Sequence, residues 1–132
     1  MTIESCVAKA LVDDSGVHAV CADRIYPVIA PQDITKPFIV YERLSVEEDR
    51  TQDGVSDLQM ARMRFTAGGL KYADVVAADA AIRSALGGGA TGDGSVDIIV
   101  SFFEQPDDSF FMESNMFTRQ CYAEIQYKQT GD

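Results

Sequence analysis

Apolar residues recur at helical spacing near the start of the chain, at Ile3, Val7, Ala10 and Leu11. That period predicts an amphipathic helix. Thr2 can cap it, and Glu4 places a favourable charge in its first turn. Asp13-Asp14-Ser15-Gly16 ends it, and Val17 to Ala22 predicts a short further helix. From Phe38 the pattern becomes alternation. Phe38, Val40, Leu44 and Val46 share one parity, while Ile39, Tyr41 and Arg43 take the other. Both sides are largely apolar, as in a strand with little purely polar surface. A second strand is expected from Val55 to Ala67. It has Ala61, Met63, Phe65 and Ala67 on one face and Leu58, Met60, Arg62 and Arg64 on the other. Glu47-Glu48-Asp49-Arg50 and Asp53-Gly54 read as the polar connection of a long hairpin.

Gly68-Gly69 is expected to break the second strand. Tyr72 to Leu86 is Ala-rich, with a helical stripe at Val75, Ala78, Ile82 and Ala85 and Asp74 favouring its start. Gly87-Gly88-Gly89 stops it. Strands follow over Ser95 to Glu104 and Met116 to Lys128, the latter with Phe117, Cys121, Ala123, Ile125 and Tyr127 on one face. Between them lies a loop, Gln105-Pro106-Asp107-Asp108-Ser109, then the pair Phe110-Phe111. The order helix, strand, strand, helix, strand, strand implies an α+β fold. The expected sheet is antiparallel, of about four strands, with two main helices packed on one face. All 132 residues fit one domain.

One stretch departs from both periods. Pro27, Pro31 and Pro37, three of the chain's four prolines, punctuate the stretch from Cys21 to Ser45, and two of them fall within residues 24–36. Proline cannot donate to a sheet ladder and pushes its predecessor towards extended geometry. Residues 24–36 therefore read as a pinned, extended arm with a short edge strand. It carries Ile25, Tyr26, Val28 and Ile29 outside any helix.

Composition narrows the partners. Eleven basic against twenty-one acidic residues leave a net charge of −10. Nucleic-acid and anionic-membrane binding draw on clustered Lys and Arg, which this balance opposes. Three cysteines without a CxxC pair suit reduced thiols in a cytoplasm. Met1-Thr2-Ile3-Glu4 lacks the basic start and apolar run of a signal peptide. No run approaches the roughly 18 apolar residues of a membrane span.

The candidate chemistry is thin. GGGATGDGS at 87–95 is glycine-rich like a phosphate loop. It follows a helix and precedes a strand, the reverse of the required order, and it has no lysine. Asp93, Ser95, Asp97 and Glu104 match a calcium-loop spacing, but Ile98 stands where the turn needs glycine. His18, the single histidine, lies one helical turn from Cys21, too few ligands for zinc and no frame for a Ser–His–Asp triad. A half-buried histidine beside a core cysteine is the simpler reading. No catalytic residue, cofactor site or metal site is assigned. Arg62 and Arg64, among apolar neighbours, suit either a protein interface or a solvated strand face. Phe110-Phe111-Met112 is either a partner site or a plug at one end of the core.

Taken in order, several short motifs resemble one family. They are Asp23-Arg24-Ile25-Tyr26-Pro27, Pro31-Gln32, Pro37-Phe38-Ile39-Val40-Tyr41, Asp53-Gly54, Tyr72-Ala73-Asp74 and Phe117-Thr118-Arg119. In this order and spacing the chain resembles the tail-completion, or tail terminator, family of long-tailed phages. Gene transfer agents and prophage-derived particles use the same part. The resemblance implies a non-enzymatic virion protein, assembled in a bacterial cytoplasm, that forms a hexameric ring on the head-proximal end of the tail tube. It implies the tube protein and the head connector as partners, with DNA passing through unbound; the alternative readings are another neck component, such as a head–tail joining or stopper protein, and a small cytosolic ligand-binding domain. Ile25, Tyr26, Val28, Ile29, Arg62, Arg64, Phe110 and Phe111 become expected subunit or partner contacts. Glu47, Glu48, Asp49 and Asp53 become an expected acidic lumen or tube-facing loop, which would repel phosphate. The proline-fixed arm either packs across a neighbouring subunit or folds back over its own sheet edge.

Overall fold

Thr2 accepts a hydrogen bond from the Ser5 N–H at 3.1 Å and opens helix α1 (Ile3–Asp13). Ile3, Cys6, Val7 and Leu11 form its buried stripe. Asp14 then serves two helices. Its N–H bonds back to the Leu11 carbonyl, and its side chain accepts from the Val17 N–H at 2.9 Å. That second bond caps helix α2 (Ser15–Cys21), which begins two residues before the expected start at Val17. The computed structural model describes residues 2–51, 54–91 and 96–129; the side chains of 47–51, 54–57 and 91 lie outside that description.

The arm contributes strand β1 (Ile25–Pro27), which pairs in parallel with β2 (Phe38–Thr51). β2 and β3 (Gly54–Gly69) form the long antiparallel hairpin. Helix α3 (Tyr72–Gly87) follows, then β4 (Ala90–Thr91), β5 (Val96–Phe103), β6 (Asp107–Phe111) and β7 (Met116–Gln129). The sheet runs β1-β2-β3-β7-β5-β4, with β6 pairing β7 beyond the end of β5. The mixed α+β class and the mostly antiparallel sheet stand as expected. The strand count does not: seven strands lie among the described residues where about four were expected. The additional strands, β1, β4 and β6, have two to five residues each. Lengths of that order carry no usable periodicity and form only because a longer strand presents an open edge.

The short helix α2 joins the two main helices on one face of the sheet, burying Val17 and Cys21. Ile39, Met63, Phe65, Ala123 and Ile125 meet Val7, Leu11, Val17, Val75, Ile82 and Leu86 in one core. The expected face of β3 is buried in full at Ala61, Met63, Phe65 and Ala67. On α3 the buried stripe is Val75, Ala78, Asp79, Ile82 and Leu86, so Leu86 takes the place foreseen for Ala85.

Two irregularities correct the expected parity. In β2 the register shifts between Arg43 and Ser45. Ile39 and Tyr41 face the core before the bulge, and Val46 lies opposite buried Ala61 after it. Val46 therefore does not continue the side of Phe38 and Val40, because the inserted residue, Leu44, exchanges the faces. Gly68-Gly69 continues β3 rather than breaking it, and the Phe38 ring lies where a Gly68 side chain would stand. The segment 47–51, expected as a connection, is backbone of β2. The loop expected to carry Phe110-Phe111 is strand β6.

Candidate functional site

Catalytic chemistry finds no support in the thiols. Burial pushes the Cys21 and Cys121 pKa values up to about 11, the wrong direction for a nucleophile. His18 is exposed rather than half-buried and Cys21 is buried, so the two do not share a rim. No group of three or more potential metal ligands occurs among the described residues. Asp93 and Ser95 of the calcium-like spacing lie outside the described residues, and Asp97 stands in β5.

The features that stand out are two apolar surfaces at one end of the sheet. There its local order is β1-β2-β3-β7-β6, since β6 pairs Gln120 to Met116 while β5 pairs residues 123–129. β1 and β6 are thus the two edges.

At the β1 edge, Arg24 holds the arm's ends together. Its Nε donates to the Pro37 carbonyl at 2.7 Å and its Nη2 to the Val20 carbonyl at 3.3 Å. Ile25 and Tyr26 are half-buried and pair with Ile39 and Val40. The chain then turns abruptly. Val28 sits at φ +65°, its N–H bonded to the Tyr41 carbonyl at 2.9 Å. Ile29 N–H returns to the Pro27 carbonyl at 2.6 Å. Positive φ is rare for a β-branched residue and stores roughly 1–3 kcal/mol. The strained turn leaves Val28 64% and Ile29 77% exposed. Together with Ala30, Phe38 and Val40 they wall a groove of about 310 Å³, closed on its polar side by the Glu42–Arg64 ion pair.

At the β6 edge, the hairpin to β7 turns through Met112-Glu113-Ser114-Asn115, with Asn115 at φ +54°. Asparagine tolerates that region better than most residues. An ionic clasp ties the hairpin to the body. Arg119 donates to both carboxylate oxygens of Asp108, at 2.7 and 3.0 Å, and to the Tyr72 hydroxyl at 2.9 Å. The Tyr72 hydroxyl in turn donates to Asp108 Oδ2, and the bonds from Arg119 and then Tyr72 hold the Asp108 carboxyl below its ordinary range. Behind the clasp, Asp79 of α3 is buried. It accepts from Arg83 Nε at 3.0 Å and lies 3.9 Å from Arg119 Nη1. Phe110 stacks on Phe117 at 4.7 Å between centroids, and Phe117 meets Tyr72 edge-on at 5.6 Å. Phe110 is thus partly held by its own chain. Phe111 and Met112 project instead, 54% and 82% exposed.

The expected contact residues therefore divide. Val28, Ile29 and Arg64 come together at the groove, and Phe110 and Phe111 belong to the hairpin. Ile25 and Tyr26 mainly secure β1. Arg62 belongs to neither surface. It binds Glu104 at 3.0 Å, lies 3.7 Å from Glu124 and covers the Tyr122 ring at 5.0 Å. That arrangement fits the solvated strand face. The side chains of Glu47, Glu48 and Asp49, and all of Asp53, lie outside the described residues. The sequence groups Met112 with Phe110 and Phe111, but Asp108 and Asp79 give no signal as site residues, since the clasp joins residues distant in sequence.

No protein-family model matches the chain, and no curated protein matches it. Among solved structures, it is similar to a chain of "Virion of native gene transfer agent (GTA) particle", at 14% identity and a TM-score of 0.76. The likeness covers 96% of this chain and 94% of that one. At that identity it shows a shared fold.

Proposed function

We propose that the protein is a structural virion subunit, a tail terminator that forms a hexameric ring on the head-proximal end of a phage-type tail tube. The ring stops tube growth and offers the surface on which the head docks. The observation that carries this reading is the near end-to-end fold likeness to a chain of a gene transfer agent virion. The ordered motifs that resemble the tail-completion family supply an independent support. Two exposed apolar surfaces on one small chain suit an assembly role, because such patches mark protein contacts. The role needs no catalytic step. The charge of −10 suits a ring through which DNA passes without sticking.

The test is tube length. Tail tube protein from the same particle is polymerised with and without this chain and viewed by electron microscopy. Capped tubes of arrested length are expected, with a ring at one end. Unrestricted growth would overturn the terminator role. Binding to the head connector without binding to tubes would move the chain to a head–tail joining or stopper role.

A further inference from the structure

The two apolar surfaces are complementary in form: one is a groove, the other a projecting tip. They cannot meet within one molecule. Although the groove's far wall reaches Gln120 on β7, its apolar floor at Phe38 and Val40 on β2 lies three strand spacings of roughly 4.8 Å, or about 14 Å, from β6 across a hydrogen-bonded sheet. The tip also runs away from its own groove, beyond the start of β7 at Met116.

We infer that the Phe111-Met112 tip of one copy seats in the Val28–Ile29–Phe38–Val40 groove of the next copy, head to tail around a ring. This deepens the terminator reading and rests on it for the closure of the ring. Three observations favour a second copy as the occupant. The first is size. A groove of about 310 Å³ has room for a large apolar side chain. Phe111 and Met112 expose on the order of 250 Å² of mostly apolar surface, a fair core for an interface of roughly 800 Å² per partner. The second is charge. Residues 107–115 carry Asp107, Asp108 and Glu113 and no basic residue. The groove's lining has two charged residues, Glu42 and Arg64, and they pair with each other. In a chain of net charge −10, the acidic tip thus meets a neutral patch rather than like charge, which lets two copies approach. The third is geometry. Tip and groove lie on opposite edges of the same sheet end, so each contact leaves a free tip and a free groove. That is a heterologous interface, which closes into a ring when its rotation permits. The strained turn at Val28 and the clasp at Asp108 have a use in this contact. Both surfaces are held in shape beforehand, which lowers the ordering cost of association.

The experiment uses the full-length chain in three forms, with mass measured by sedimentation over a range of concentrations. One variant spoils the tip (Phe111→Asp with Met112→Asp), the other the groove (Ile29→Asp). All three substituted side chains are exposed, so neither change touches the core. The wild type is expected to exceed a dimer at high concentration. Each variant alone is expected to be monomeric, with association weakened about a hundredfold or more. Mixed together, the variants retain one intact tip and one intact groove between them, and a 1:1 dimer is expected. A mixture that stays monomeric would overturn the contact. So would a variant that keeps the wild-type mass, or a wild type monomeric at every concentration. If the variants keep their mass but fail to cap tubes, the tip docks on the tube and the inference fails. If the 1:1 dimer forms while tubes grow unchecked, the contact stands and the terminator role falls.

Discussion

Arg119 grips Asp108 through two hydrogen bonds, 2.7 Å from Nε to Oδ1 and 3.0 Å from Nη2 to Oδ2. The pair lies directly across the β6–β7 ladder, Asp108 opposite Arg119. Through Tyr72 and Asp79 the same guanidinium reaches α3, so one side chain fixes the angle of the hairpin to the body.

This clasp predicts a pH dependence. The folded-state pKa of Asp108 is lowered, first by its hydrogen bond to Arg119 and then by that to Tyr72. A lowered carboxylate pKa stabilises the fold above the unfolded value, near 4 for aspartate, and the contribution disappears as pH falls through the folded pKa. Asp108 keeps 38% of its side chain exposed, and that solvent screening limits the worth of the pair to about 1 kcal/mol. Urea unfolding of Asp108→Asn against wild type is expected to show a constant deficit from pH 5 to 8 that shrinks towards about pH 2. A deficit unchanged at low pH would show that the carboxylate charge is not the source.

Gly68 has no room for a side chain, because the Phe38 ring already occupies its place. Gly68→Ala is expected to cost about 1–3 kcal/mol by overpacking. Adding Phe38→Ala should recover part of the loss. Chemical denaturation of the two single variants and the double variant checks the coupling, and simple additivity would contradict the contact.

Val28 stores strain that glycine would release. Val28→Gly is expected to raise stability by up to about 1 kcal/mol, against the usual penalty for glycine. The thermal midpoint reads the sign. A clear loss of stability would mean that the turn is not strained in solution.

Asp79 is a buried carboxylate between two arginines. Asp79→Ala leaves Arg83 and Arg119 without that partner and is expected to cost about 2–4 kcal/mol. Asp79→Asn, which keeps a hydrogen-bond acceptor, should cost less. Equal losses would point to packing alone.

The thiols should be inert in the native state. With Cys21 and Cys121 pushed up to about 11, thiolate at pH 8 is scarce, and a disulfide reagent should label them roughly a hundredfold more slowly than free cysteine. Rapid labelling without denaturant would contradict the burial.

Periodicity alone determined the long elements. Ile3, Val7 and Leu11 on α1, the alternating apolar face of β3, and Val75, Ala78 and Ile82 on α3 each bury as the pattern requires. These elements are long enough for many weak local preferences to agree. The class followed from their order. The net charge of −10, the single histidine and the three scattered cysteines were legible as composition. Tertiary structure decided the rest. Strands as short as β1, β4 and β6 exist only where a neighbour offers an open edge. The bulge that moves Val46 to the core side is one residue long, below the resolution of an alternating pattern. The clasp of Tyr72, Asp79, Asp108 and Arg119 gathers residues up to 47 positions apart, and nothing in their local spacing announces it. The groove likewise needs an arm and two strands brought together. Local physics selected the elements, and only their packing placed a groove on one edge and a tip on the other.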